Sequence, residues 1–140
     1  CQSIRQRAEE WLKQKHEVIV MGDINDGPGM DYYEQQFGRS AVEVLMGDIF
    51  EPELILRNHG GKPRWGTYGW TPASARFTDR ITESPVNVLI DHILTSAGIV
   101  PSAKGYQIWN PFENAEAKPK KQALLKASDH FPVSLNIEIS

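Results

Sequence analysis

The sequence predicts a layered α/β fold, with helices flanking mainly one mixed sheet. Three observations carry this prediction. Apolar residues recur at helical spacing near the N-terminus, a β-branched apolar run follows at residues 18–21, and apolar and polar residues alternate strictly near the C-terminus. The order helix, strand, helix and then mostly strands is typical of a domain built from layers of both elements.

The first helix and the first strand follow directly from side-chain spacing. Ala8, Trp11 and Leu12 share one face of a helix over about residues 1–15, and we expect this face to pack on the sheet through Trp11. Residues 18–21 are apolar throughout, which fits a central strand that is covered on both faces.

The rest of the chain alternates between weak and clear patterns. A weak helical pattern runs over residues 30–50, and residues 51–87 are irregular and rich in Gly, Pro, Thr and aromatic side chains. Residues 110–127 are polar and lysine-bearing, so we expect a mobile surface loop there, with Lys118, Lys120, Lys121 and Lys126 as a flexible basic segment. The remaining predicted strands are residues 88–94, 105–109 and 133–139.

Composition limits the possible classes of protein. The 140 residues, 40% of them hydrophobic, suit one domain, and the formal charge of -3 gives no overall attraction to nucleic acid or to an anionic membrane. A single cysteine, Cys1, excludes an internal disulfide bond. No apolar run is long enough to span a bilayer. The chain begins inside an amphipathic pattern, so we expect residues 1–140 to be one partial domain of a longer protein.

Asp23 and Asn25 are the first candidate functional residues. They lie two apart at the end of a predicted strand, where side chains at that spacing project to the same side. A carboxylate that accepts a proton and an amide that donates to a phosphoryl oxygen would suit phosphoester hydrolysis. Taken alone, the two residues fit an ordinary turn better than a catalytic pair, because Asp and Asn bond readily to nearby backbone groups.

Asp91 is the second candidate, because it falls inside an apolar strand pattern. A buried carboxylate costs several kcal/mol unless it is paired or hydrogen-bonded. An imidazole held in one tautomer is a plausible partner. The alternative is a carboxylate at a strand end that reaches solvent or bonds to a backbone N–H. His92 points to the opposite face by alternation, which favours a packed or surface histidine.

Asp129 and His130 are the third candidate, just before the last strand. Neighbouring residues on extended backbone face opposite ways, so both reach one site only if the chain bends there. Pro132 favours an extended conformation at Phe131 and helps to define such a bend. The alternative interpretation is simple turn chemistry before a strand.

Together these segments resemble a known family. Its successive motifs are similar to Gly22-Asp23-Ile24-Asn25, Leu89-Ile90-Asp91-His92-Ile93 and Ser128-Asp129-His130-Phe131-Pro132-Val133. The family is the endonuclease/exonuclease/phosphatase superfamily, of the deoxyribonuclease I-like type, and the similarity runs from about residue 18 to the C-terminus. Thr67-Tyr68-Gly69-Trp70 resembles an aromatic segment that often precedes the second motif.

The resemblance implies a fold and a role for each motif residue. The implied fold is half of a four-layer α/β sandwich, the C-terminal half only. The implied roles are activation of water for Asp23, contact with the scissile phosphate for Asn25, and orientation of the catalytic His130 for Asp91. His130 would act as a base or as a hydrogen-bond donor. Asp129 would bind the metal ion.

The resemblance also implies a cofactor that this chain does not hold alone. The expected ion is Mg²⁺, with Mn²⁺ or Ca²⁺ as alternatives. Its main glutamate ligand is expected in the family's N-terminal half, before Cys1. The missing half, or a second copy of this chain, is therefore an expected partner.

Two hypotheses about function follow. The first is a metal-dependent phosphoester hydrolase, acting on nucleic acid, a phosphorylated small molecule or a lipid headgroup. The second is an isolated, inactive half-domain that self-associates through an exposed sheet face. For the first, the substrate contacts we expect are Arg64, Trp65, Thr67, Tyr68 and Trp70, although an ordinary solvated loop with packed aromatic side chains fits that segment too.

Overall fold

A computed structural model describes residues 1–27, 36, 38–60 and 73–138. The α/β class is confirmed. Within these residues the helices are α1 (Gln2–Lys13), α2 (Ala41–Met46) and α3 (Lys121–Ala127). The strands are β1 (Ile19–Asp23), β2 (Leu56–Asn58), β3 (Ala75–Thr78), β4 (Pro85–Val88), β5 (Asp91–Ser96), β6 (Ala103–Ile108) and β7 (Val133–Ile137). Of the helices described, none has both the length and the apolar character needed to cross a bilayer.

The described strands form three antiparallel sheets, which corrects the prediction of mainly one mixed sheet. One sheet has the order β1-β5-β2, and the other two are the pairs β3-β4 and β6-β7. The physical reason lies in the predicted strand at residues 88–94, which is interrupted. Val88 ends β4 in one sheet, and Asp91 begins β5 in another.

The interruption between these strands is held by hydrogen bonds. Ser74 Oγ accepts the backbone N–H groups of Ile90 and Asp91 at 3.0 and 2.9 Å. The Ile90 carbonyl accepts the N–H of Ile24 at 2.8 Å. The chain therefore moves from one sheet to the next without leaving these backbone groups unpaired. As a result Asp91 opens β5 and does not interrupt the middle of a strand.

Helix α1 covers the β1-β5-β2 sheet, but not through the residue expected. Ala8 and Leu12 are buried against Leu56 and Leu94, whereas Trp11 is 47% exposed. The prediction that Trp11 packs on the sheet is therefore wrong. Ala8 and Leu12 fill the apolar cluster over the sheet, and the indole of Trp11 is left at its margin.

Three other predicted segments can be compared with the structure. In the 30–50 segment the described helix is α2, whose capping box is formed by Ser40 and Glu43, while residues 28–35 and 37 lie outside the described part. The polar segment 110–127, expected as a mobile loop, ends in helix α3. The irregular segment 51–87 contributes β2, β3 and β4.

A second apolar cluster joins the β6-β7 sheet to the segment that carries the third motif. Leu89, Ile108 and Phe131 are all buried in it. Phe131 directly follows His130, so its burial anchors the backbone beside the candidate imidazole.

Candidate active site

The structure brings Asp91 and His130 together across the fold. His130 Nδ1 lies 3.0 Å from Asp91 Oδ2 and 3.2 Å from Oδ1. Since an ionised carboxylate only accepts, the imidazole donates from Nδ1–H, and Nε2 has no hydrogen-bond partner among the described residues. The side chains of Asp91 and His130 are 15% and 34% exposed, so a ligand can reach the imidazole while the carboxylate stays largely covered.

A bend in the chain turns His130 toward Asp91. Ser128 Oγ accepts the His130 N–H at 3.0 Å, and the Phe131 N–H donates to the Ser74 carbonyl at 2.7 Å. His130 also forms an isolated bridge with Ala75. Asp129 is exposed on this bend, and its carboxylate does not contact the Asp91–His130 pair.

Asp23 lies beside this pair, because it is the direct partner of Asp91 in the antiparallel register of β1 and β5. Directly opposed residues share a face of the sheet, so the two carboxylates belong to the same side. Asp23 is the last residue of β1, and its Oδ1 accepts the Asn25 N–H at 2.7 Å.

Asn25 lies outside the strand, in a left-handed conformation with φ of 55°. Its position is therefore set by the turn and not by strand alternation. The first motif therefore shows both features considered from the sequence. Asp23 lies at the end of a strand, and its hydrogen bond to the Asn25 N–H belongs to a turn.

Ser74 is a residue of this site that sequence reasoning missed. It is fully buried, its hydroxyl accepts the Asp91 N–H, and its carbonyl accepts the Phe131 N–H. One serine thus fixes the backbone of both halves of the Asp91–His130 pair. No pattern distinguishes it in the sequence, since it is a small polar residue in an irregular segment.

Replacing Ser74 with alanine is expected to destabilise the fold. Two partly buried N–H groups, those of Ile90 and Asp91, would lose their acceptor, and such a loss costs up to roughly 1–3 kcal/mol for a fully buried group. Urea unfolding measures the change. The matched variant is Ser84→Ala, at an exposed serine, where a change within about 0.5 kcal/mol is expected. Equal effects of the two substitutions would contradict the role given to Ser74.

His92 is packed, and both of its ring nitrogens are hydrogen-bonded within the protein. It is 1% exposed, its Nε2–H donates to the Asp26 carbonyl at 3.0 Å, and its Nδ1 accepts from the Asn58 amide at 3.1 Å. Burial lowers the pKa of His92 from its ordinary value, so the neutral imidazole is favoured. Its bond to Asp26 holds the backbone directly after Asn25.

Acid is expected to weaken the fold through His92. In the unfolded chain His92 titrates near 6.5, whereas the folded site disfavours the charged ring, so the unfolded state binds more protons below that pH. Stability is therefore retained above 6.5 and lost as the pH falls toward the lowered pKa. Burial lowers the pKa of His59 as well, and its effect has the same sign.

Urea midpoints between about pH 7.5 and 5.5 measure this effect. The variant His92→Gln, which cannot titrate, should show a smaller loss of stability over that interval. The control variant is His16→Gln, at an exposed histidine, and it should behave like the unaltered chain. A loss of the same size in both variants would exclude His92 as the source.

A cavity of about 410 Å³ adjoins His130 and Asp91. Its apolar walls include Met21, Ile93 and Phe131. There is room beside the imidazole for a ligand the size of a phosphate ester.

The described residues do not include the predicted substrate contacts and do not contain a complete metal site. Arg64, Trp65, Thr67, Tyr68 and Trp70 lie outside the described residues. Among residues 1–27, 36, 38–60 and 73–138 no group of three or more His, Cys, Asp or Glu side chains is arranged to hold a metal ion. The described carboxylates alone therefore do not complete a metal site, and Asp129 as a ligand stays a prediction.

Comparison with known proteins places the chain in a family. The family model described as Endonuclease/Exonuclease/phosphatase family matches residues 2–130. The chain belongs to this family. Members of the endonuclease/exonuclease/phosphatase family are phosphoester hydrolases and generally depend on a divalent metal ion. No curated protein and no solved structure gives a significant match.

Proposed function

We propose that this chain contributes His130, Asp91, Asp23 and Asn25 to the active site of a metal-dependent phosphoester hydrolase. The observation that carries the proposal is the contact of 3.0 Å between His130 Nδ1 and Asp91 Oδ2, with Asp23 opposite Asp91 in the register. Membership of the endonuclease/exonuclease/phosphatase family supplies the reaction class.

The proposed chemistry starts from the free Nε2 atom of His130. Asp91 fixes the tautomer and orientation of the ring, so Nε2 is presented to the phosphate without loss of alignment. From there His130 either takes a proton from the attacking water or, when protonated, donates to a phosphoryl oxygen. The carboxylate of Asp23 orients that water, and the amide of Asn25 donates to another phosphoryl oxygen.

The proposed ion is Mg²⁺, with Asp129 as its ligand from this chain. An ion of this kind offsets negative charge on the phosphate when it is bound. Mg²⁺ is commonly held by one or two carboxylates together with water and substrate phosphate. A single carboxylate ligand from this chain is consistent with that pattern. The proposed substrate contacts are Arg64, Trp65, Thr67, Tyr68 and Trp70.

Hydrolysis of bis(4-nitrophenyl) phosphate by the full-length protein, with and without EDTA, tests the proposal. Activity should require added divalent metal, and the variants Asp23→Ala and His130→Ala should each lose at least about a hundredfold in kcat. The comparison variant is His16→Ala, at an exposed histidine, which should keep full activity. Undiminished hydrolysis by both Asp23→Ala and His130→Ala would refute the assignment.

A second candidate function is self-association without catalysis, and one observation favours it. Strand β1 pairs with β5 alone among the described strands, and its Ile19 and Met21 side chains are 47% and 74% exposed. Exposed apolar residues on an edge strand favour pairing with another chain.

Light scattering across a range of concentrations tests self-association. The variant Met21→Glu should shift the chain toward monomer, whereas Ile81→Glu, at an isoleucine in the β3–β4 turn that is 92% exposed, should not. A chain that stays monomeric at high concentration would rule this function out.

A further inference from the structure

Cations and aromatic rings form a cluster on the surface near β3 and α3. The guanidinium carbon of Arg76 lies 4.2 Å from the ring centroid of Phe112, and the ammonium nitrogen of Lys121 lies 4.4 Å from the same centroid. The ammonium nitrogen of Lys120 lies 5.2 Å from the ring centroid of Trp109. We call these five residues the Phe112 patch.

The positive charge of the Phe112 patch lacks a carboxylate partner within the described residues. None of the ion pairs found there includes Arg76, Lys120 or Lys121. The nearby carboxylate of Glu113 is engaged elsewhere, since its Oε2 accepts the Ala73 N–H at 3.0 Å. Two cations over one ring are each attracted to it by roughly 0.5–1 kcal/mol, but they repel each other. A bound anion would reduce this repulsion.

The patch is attached to the bend that carries the candidate imidazole. The Arg76 N–H donates to the Asp129 carbonyl at 2.9 Å, and the Phe112 ring contacts the Phe131 ring with centroids 6.4 Å apart. These two contacts flank His130 on both sides along the chain. Phe112 is 44% exposed, so the surface is open to a ligand.

The patch lies beside the Asp91–His130 pair and not within it. His130 bridges Ala75, and neighbouring residues on paired extended backbone project to opposite sides, which directs Arg76 away from the imidazole. A ligand that contacts both must extend around the edge of this strand pair and carry more than one negative group.

We propose that the Phe112 patch binds the phosphate backbone of a single-stranded nucleic acid that extends from the phosphate held at His130. This inference rests on the proposed function, which supplies the second point of contact. A flexible strand can follow the bend between the two points, whereas the net charge of -3 gives the protein no general attraction to a stiff duplex. The sequence predicted only a flexible loop for the basic segment 118–121. In this proposal the segment contacts the phosphate backbone of the nucleic acid.

Binding of a fluorescein-labelled single-stranded oligonucleotide, followed by anisotropy, tests the inference. All chains carry His130→Ala so that no strand is cleaved. Adding Arg76→Gln and Lys121→Gln should weaken binding roughly tenfold at ~0.1 M salt and reduce the slope of log K against log salt by about 1.4, for two lost phosphate contacts. The matched control, Lys13→Gln with Lys15→Gln, removes the same charge from the region of α1 and should leave both quantities unchanged.

A charge-conserving pair separates electrostatics from folding. Arg76→Lys with Lys121→Arg should keep the salt slope of the unaltered patch. Equal weakening by the two glutamine pairs would overturn the inference. The oligonucleotide would then respond to the net charge of the protein and not to a binding site at the patch. Stronger binding to phosphatidylserine vesicles than to the oligonucleotide would overturn it too. Patch-dependent binding in a full-length protein that hydrolyses no phosphoester would refute the proposed function and leave only the contact between the patch and nucleic acid standing.

Discussion

Replacing Asp91 with asparagine is expected to lower kcat for phosphoester hydrolysis by about 10²–10⁴, with a much smaller effect on KM. The amide keeps the size of the carboxylate but can turn its NH₂ toward His130 Nδ1, which favours the wrong tautomer of the ring. The interaction matters most as charge develops at His130, so the loss should fall on kcat. Steady-state kinetics on bis(4-nitrophenyl) phosphate measures both constants.

Asp48→Asn is the matched control for this prediction. Asp48 Oδ1 accepts the Phe50 N–H at 3.0 Å, and an asparagine keeps that acceptor. Unchanged kinetics are expected for it. If Asp91→Asn were as active as Asp48→Asn, the contact with His130 would have no part in catalysis.

Phe131→Ala is expected to cost about 3–5 kcal/mol of unfolding free energy. The side chain is 2% exposed and packs with Leu89 and Ile108, so its removal leaves a cavity between the second apolar cluster and the bend at His130. Urea or thermal unfolding followed by circular dichroism measures the loss. Small domains have total stabilities of roughly 5–15 kcal/mol, so this one substitution should consume a large part of the total.

The control for this second prediction is Phe77→Ala. Phe77 lies on β3 and is 43% exposed, so its truncation is expected to cost less than about 1 kcal/mol. Similar losses for Phe77→Ala and Phe131→Ala would mean that the cluster around Phe131 contributes little to stability.

The elements with strong, uninterrupted periodicity were predictable from the sequence. Helix α1 and strands β1 and β7 lie close to where their side-chain patterns place them. The break between β4 and β5 was not predictable, because the apolar run continues across both strands and the change of sheet depends on Ser74, more than a dozen residues earlier. The burial of Trp11 was predicted wrongly, because helical spacing alone does not distinguish a buried indole from one at the edge of the buried face.

The candidate site was predictable in its motif residues and not in its support. Asp91 and His130 lie 39 residues apart in sequence and in contact in the structure. Polar residues at strand ends signal such groups, since a carboxylate in an apolar pattern needs a partner. The hydrogen bonds of Ser74 and His92 carry no such signal, because the groups they join are brought together only by the whole fold.

The change of sheet between β4 and β5 has a consequence for inactivation. Asp91 belongs to the β1-β5-β2 sheet, whereas His130 is bridged to the β3-β4 pair through Ala75. A partial opening that moves these units apart would separate carboxylate from imidazole while every strand keeps its own ladder. Gentle heating should therefore abolish turnover before the far-ultraviolet circular dichroism changes.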